Sequence, residues 1–169
     1  MHIPDSEQFA QLATENDFVP VYRRLLSDTL TPVTAFQLLD DGGPACLFES
    51  VIGGEKVGRY SFLAAGPIRR FSAKRNEIEV TELADDTCSK TTAEDPLDAF
   101  RTHFHFRVAE LKGLPPFVGG AIGYAGYDVV RYVENLPNPP ADDRDLPDLD
   151  FAFYHPLCVF DHVEKTITV

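Results

Sequence analysis

Polar side chains that could bind a ligand stand at the facing ends of two apolar segments, 45–48 and 62–65. Each segment is a short uninterrupted apolar run, which is typical of a buried strand. A segment rich in glycine and charge separates them, so the two strands are expected to form a hairpin whose ends meet. The polar residues at that end are Glu49, Ser50, Arg59, Tyr60 and Ser61.

Two interpretations of Glu49 follow from its place beside a buried strand, where a carboxylate needs a cation or hydrogen-bond donors. In the first, Arg59 neutralises Glu49 as a structural ion pair across the hairpin. In the second, the two residues bind a small zwitterionic ligand, with Glu49 at its ammonium group and Arg59 at its carboxylate. The glycines between them would let backbone amides approach such a ligand closely.

The glycine-rich segment does not have the composition of a phosphate-binding loop. Gly53 and Gly58 have the right spacing, but Arg59 and Tyr60 stand where such a loop carries a lysine and a magnesium-binding hydroxyl. The chain also shows no serine in a nucleophile elbow and no pair of histidines spaced for a metal-binding helix. No catalytic residue, no metal ligand and no cofactor is therefore assigned to this sequence.

Composition indicates a folded, acidic protein. The 169 residues carry 15 Lys and Arg against 27 Asp and Glu, a net charge of −12, which argues against nucleic acid or an anionic membrane as a partner. The length suits a substantial core, and a single domain over 1–169 is predicted. Three widely separated cysteines and the lack of a targeting segment or an apolar run of membrane-spanning length predict a cytoplasmic protein with reduced thiols.

Three helix starts combine a capping side chain with apolar residues at helical spacing. They are Asp5 or Ser6, Thr31 with Pro32, and Asp95 with Pro96. In the second and third, proline occupies the first turn, where its missing N–H costs nothing. The third helix is expected to continue to about residue 112.

Apolar or alternating segments predict the strands. Besides the hairpin already described, they are 18–22, 68–73, 77–83, 149–160 and 166–169. The pair within 68–83 is expected to form a solvent-facing hairpin of the same sheet, 84–94 a surface loop, and 138–147 an irregular acidic connection. The glycines of 119–128 indicate close backbone approach at an interdomain sheet.

Together these elements predict an α+β fold of mainly antiparallel β-sheets packed as a sandwich, with a few flanking helices. The last segment stops within a strand, so the sequence is expected to be part of a longer protein. A free-standing ligand-binding module is the alternative.

Three motifs, in order, resemble the N-terminal region of anthranilate synthase component I. They are 47–51 with 58–62, the helix start 31–36, and 119–124 with 126–128. The resemblance extends from about residue 18 to the end of the chain. It implies that the complete enzyme converts chorismate to anthranilate and pyruvate in tryptophan biosynthesis, with magnesium and with ammonia from a glutamine amidotransferase subunit. Catalysis would belong to a C-terminal domain, so this fragment is expected to be inactive.

The resemblance also implies that this region binds tryptophan as a feedback inhibitor. Glu49 and Ser50 match the glutamate and serine of the family's leucine-leucine-glutamate-serine element, and Leu47 matches its first leucine. Arg59 falls close to a basic residue that contacts the effector in some members, and Tyr60 and Ser61 adjoin it. Aminodeoxychorismate synthase component I, a relative in folate synthesis, is the alternative enzyme.

Overall fold

The computed structural model describes residues 2–49 and 58–169. Within them, ten strands form two five-stranded sheets, and short helices flank the strands. The chain divides into two compact units, one formed by 1–66, 106–120 and 154–169 and the other by 67–105 and 121–153. The α+β class and the antiparallel pairing are confirmed, while the single domain over 1–169 stays a prediction.

The first unit contains a sheet with the strand order β1-β10-β9-β3-β2. Its strands are β1 Arg24–Leu26, β2 Ala45–Glu49, β3 Tyr60–Ala65, β9 Cys158–Asp161 and β10 Thr166–Thr168. The predicted hairpin is confirmed, because β2 pairs antiparallel with β3 along its whole length. Strand β9 lies on the other side of β3, although about a hundred residues separate them in sequence.

The second unit contains a sheet with the order β6-β5-β4-β8-β7. Its strands are β4 Arg69–Lys74, β5 Glu77–Glu82, β6 Thr87–Thr92, β7 Gly120–Ala125 and β8 Leu149–Tyr154. The buried side chains of β4, β5 and β8 form its core together with Phe100 of the helix Pro96–Arg101. Phe71 is fully buried, and its ring centroid is 4.9 Å from that of Phe100.

All three predicted helix starts are confirmed. The helices are α1 Ser6–Leu12, α2 Pro32–Leu39 and α3 Pro96–Arg101. Asp5 and Asp95 accept hydrogen bonds from amides of the first turn, and Thr31 forms a reciprocal capping box with Thr34. In the first unit, Ala35 of α2 joins a buried cluster with Leu63, Phe160 and Ile167.

Several element predictions were wrong. Residues 18–22 form only isolated bridges at Phe18 and Tyr22, as Pro20 has no amide to donate. Helix α3 ends at Arg101 and a 3₁₀ turn, Thr102–Phe104, follows; the backbone of 107–109 instead bonds to that of 17–18.

Two further errors concern the second sheet. The hairpin of β4 and β5 belongs to this sheet and not to that of β2 and β3, and one of its faces carries the buried Phe71 and Ile78. Within the segment predicted as a loop, Thr87–Thr92 forms the edge strand β6. Every residue of β6 is exposed, so the strand needs no apolar side chain and leaves no hydrophobic pattern in the sequence.

Candidate functional site

The candidate ligand-binding residues lie at one end of three neighbouring strands. Glu49 is the last residue of β2 and is paired with Ser61, next to the start of β3. Across β3 from β2, Tyr60 is paired with Asp161, the last residue of β9. Antiparallel pairing thus brings the end of β2, the start of β3 and the end of β9 together, whereas Ser50 lies outside the described residues.

Glu49 is exposed, so the premise that burial obliges it to find a partner was wrong. Within residues 2–49 and 58–169, no basic group lies within ion-pair distance of its carboxylate. Two positions earlier on the same face, Leu47 is half-buried and packs on the core of the first unit. An exposed carboxylate therefore ends an otherwise apolar strand face.

Arg59 pairs with Asp161, and the predicted structural ion pair with Glu49 was wrong. Its Nε donates to Oδ1 and Oδ2 of Asp161 at 3.2 and 3.1 Å, and its Nη2 donates to Oδ2 at 2.7 Å. The Arg59 side chain is 39% exposed and that of Asp161 only 13%. Burial acts to raise the pKa of Asp161, but the Arg59 guanidinium and the amides of 163 and 164 outweigh it and lower the pKa below its usual range.

The Asp161 carboxylate also stabilises the turn that joins β9 to β10. Its Oδ1 accepts hydrogen bonds from the backbone amides of Val163 and Glu164 at 3.0 and 3.1 Å. One carboxylate therefore fixes both the turn and the guanidinium, so Arg59 is held against a part of the chain that is itself rigidly connected to the sheet.

The Arg59 guanidinium lies on the side of the sheet that carries Tyr60. Its Cζ is 5.0 Å from the centroid of the half-buried Tyr60 ring, within the range of a cation–π interaction. Glu49 and Ser61 share the opposite face with Leu47. The structure thus places Glu49 and Arg59 at the same end of adjacent strands, with their side chains on different faces.

Ser61 is fully buried and its hydroxyl is engaged. Its Oγ is 2.8 Å from Nε2 of His162, and the backbone amide of His162 donates to the carbonyl oxygen of Arg59 at 2.8 Å. These two contacts join the start of β3 to the turn after β9. Ser61 therefore supports the strand end and offers no exposed hydroxyl to a ligand.

Asp161 and His162 are functional candidates that the sequence reasoning missed. The sequence shows a polar turn between two strands at 162–165 but gives no sign that this turn lies beside 59–61. The available signal is modest: an aspartate and a histidine directly after the apolar run 157–160, in the position that Glu49 and Ser50 occupy after 45–48.

The part of the chain that the structure describes has no cluster of three or more histidine, cysteine, aspartate or glutamate side chains that could hold a metal ion. Its three cysteines are free thiols; Cys88 is exposed, whereas Cys46 and Cys158 are half-buried. No helix within that part is both long enough and apolar enough to cross a membrane.

Comparison with known proteins yields relatives along the entire chain, although no protein-family model matches the sequence. The chloroplastic anthranilate synthase alpha subunit 1 of Arabidopsis thaliana is 37% identical over 183 residues, which cover 96% of this chain and 30% of that protein. Anthranilate synthase component 1 of Acetivibrio thermocellus is 32% identical over 170 residues, covering 100% of this chain and 34% of that protein.

A solved structure gives the same result at the level of the fold. The crystal structure of anthranilate synthase component I from Streptococcus pneumoniae matches with a TM-score of 0.53 at 28% identity, covering 86% of this chain and 30% of that chain. The chain is therefore an antiparallel α+β protein that spans about a third of the length of the curated relatives it matches. It is homologous to anthranilate synthase component I and corresponds to the N-terminal part of those proteins.

Proposed function

We propose that this chain is the N-terminal regulatory region of an anthranilate synthase component I and that the loop-side end of β2 and β3 binds tryptophan as a feedback inhibitor. The observation that carries the proposal is that the Glu49 carboxylate is exposed and that no basic group among the described residues lies within ion-pair distance of it. The resemblance matches Glu49 to the glutamate of the family's tryptophan element. A free carboxylate at a strand end is suited to an ammonium group.

The ends of the two strands provide opposite charges for a zwitterion. Because Glu49 and the Arg59 guanidinium lie on different faces, the ligand would lie beyond the strand ends, with its ammonium group at Glu49 and its carboxylate at the N–H groups of Arg59 that Asp161 does not use. Leu47, on the face of Glu49, and Tyr60, on the face of the guanidinium, would contribute apolar surface. Ser50 would belong to the same site, and Ser61 would act by holding the start of β3 through its contact with His162.

The rest of the proposal concerns the complete protein. It would convert chorismate to anthranilate and pyruvate, using ammonia from a glutamine amidotransferase subunit, in the cytoplasm. As the resemblance implies, magnesium would be held by the C-terminal catalytic domain of the complete protein. The 169 residues by themselves would be inactive.

Calorimetric titration of the complete protein with tryptophan tests the site. Glu49→Gln removes the charge and keeps the shape; because a hydrogen bond to a charged group contributes about 1.5–3 kcal/mol, tryptophan affinity should fall by about tenfold or more. Glu77→Gln is the matched control, since Glu77 is an exposed glutamate of β5 in the other unit. Indole-3-propionate, which lacks the ammonium group, should bind the wild type and Glu49→Gln equally.

Equal tryptophan affinities for the wild type and Glu49→Gln would refute the site. Product analysis tests the enzyme separately. Incubation of the complete protein with chorismate, magnesium and ammonia should yield anthranilate, which is detected by its fluorescence. Formation of aminodeoxychorismate would instead assign the protein to folate synthesis.

A further inference from the structure

We infer that Asp161 is a positioning residue of the effector site, which orients the Arg59 guanidinium so that its remaining N–H groups meet the carboxylate of the bound amino acid. The inference rests on the proposed function and adds to it a residue from β9, a strand distant in sequence from the hairpin that carries Glu49 and Arg59. It follows from the geometry of one ion pair and its surroundings.

The pair leaves part of the guanidinium available. A guanidinium has five N–H groups, and the three contacts with Asp161 use its Nε and one side of Nη2. Among the described residues, Nη1 has no hydrogen-bond partner. As far as residues 2–49 and 58–169 are concerned, the outer edge of Arg59 therefore keeps adjacent donors, enough for a carboxylate.

Two contacts restrict the orientation of that edge. Asp161 holds the inner edge of the guanidinium, and Tyr60 lies under it with its ring centroid 5.0 Å from Cζ. An arginine without such contacts loses considerable rotamer freedom when it binds a ligand. An arginine already held in one orientation has less to lose, and its ligand binds more tightly for that reason.

Asp161 is itself held in place. Its Oδ1 accepts from two backbone amides of the turn that follows β9, and the amide of His162 bonds to the Arg59 carbonyl. The carboxylate is thus anchored to the same strand end that it stabilises, and its side chain is mostly buried. Such anchoring is what a positioning residue needs and what a mobile surface aspartate lacks.

Asp161→Asn in the complete protein is the central variant. Asparagine keeps an oxygen that can accept from the two turn amides, but it has no charge with which to hold Arg59. Tryptophan affinity measured by calorimetry should fall on the order of tenfold. Tryptophanamide, which has no carboxylate, should bind the variant and the wild type alike.

The second unit offers a matched control. Arg70 forms the same type of pair with Asp150, with Nε to Oδ1 at 2.8 Å and Nη2 to Oδ2 at 2.6 Å. Asp150→Asn removes an equivalent charge from a forked pair in the other sheet, so it should leave tryptophan affinity unchanged. Asp161→Glu, which keeps the charge but displaces the guanidinium, should weaken tryptophan binding and serves as the test if Asp161→Asn fails to fold.

The outcomes separate this inference from the proposed function. If the wild type does not bind tryptophan, both fail. If Glu49→Gln weakens binding and Asp161→Asn does not, the site stands and the role of Asp161 is refuted. Equal losses for tryptophan and tryptophanamide, or an equal loss in Asp150→Asn, also refute it, because the effect would then be one of general stability.

Discussion

Replacement of Gly123 by alanine tests the close approach of β7 to β8 in the second unit. A Cβ atom at Gly123 would lie 1.9 Å from the carbonyl oxygen of Asp150 and 2.6 Å from the Cα of Phe151. Carbon–oxygen contacts in proteins are rarely closer than about 3.3 Å, so the strands would have to separate locally by roughly 1.4 Å. Both obstructing atoms belong to the backbone, and no side-chain rotation can relieve the overlap.

The expected loss of stability lies at the upper end of the range for overpacking, about 3 kcal/mol. For a chain of this length each kcal/mol lowers the melting temperature by about 2–4 °C. Gly123→Ala should therefore melt about 6–12 °C below the wild type. Thermal and urea unfolding followed by far-UV circular dichroism measure this difference.

Gly126→Ala is the matched control, three residues further along the chain. Gly126 has φ −69° and ψ 168°, which any residue adopts, and a Cβ there would come no closer than 3.4 Å to the carbonyl oxygen of Asp148. Its free energy of unfolding should be unchanged or rise by about 0.4–1 kcal/mol. Equal midpoints for Gly123→Ala and Gly126→Ala would refute the argument, because both differ from the wild type only by a methyl group.

Three other predictions concern the core, the thiols and the loss of stability at acidic pH. Phe71→Ala, which removes a fully buried ring, should cost about 3–5 kcal/mol of unfolding free energy in urea titrations; a cost below 1 kcal/mol would contradict the packing. Burial raises the pKa of Cys158 to about 11, so a thiol reagent near pH 8 should modify the exposed Cys88 first, and mass spectrometry showing equal rates would count against this order. Burial acts to raise the pKa of Asp161, but Arg59 and the turn amides lower it overall. The contribution of the ionised Asp161 to the stability of the folded protein is therefore complete above the pKa of an unfolded aspartate, and it is lost as the pH falls through the lower pKa of the folded state. In Asp161→Asn the free energy of unfolding should fall less steeply below about pH 4 than in the wild type. The same pH dependence in both proteins would contradict the prediction.

Local signals in the sequence were sufficient to predict the hairpin of β2 and β3. Its two apolar runs are strong strand signals, and the pairing follows from the short connection between them. The three helix starts were equally local, since Asp5, Thr31 and Asp95 each cap a helix that begins at the next residue. The glycines of 119–128 correctly indicated close backbone approach, but the approach at Gly123 is to the neighbouring strand β8 of the same sheet, whereas an interdomain contact was expected.

The partner of Arg59 could not be predicted, because it depends on the strand beside β3. Arg59 and Asp161 are 102 residues apart, and no short-range pattern specifies that β9 pairs with β3. In one of the two interpretations the partner was Glu49, at the end of the facing strand of the hairpin. Register places Glu49 with Ser61 on one face, whereas the guanidinium of Arg59 lies with Tyr60 on the other.

The position of β10 between β1 and β9 has a consequence for synthesis on the ribosome. Arg24 emerges early but pairs with Thr168, so the first strand of this sheet has no neighbour until the segment that carries β10, more than a hundred residues later, has been translated. The hairpins of β4, β5 and β6 can form meanwhile, because their partners are adjacent in sequence. Closure of the first sheet is thus a late, long-range event, and β1 stays unpaired in the nascent chain until β10 has emerged.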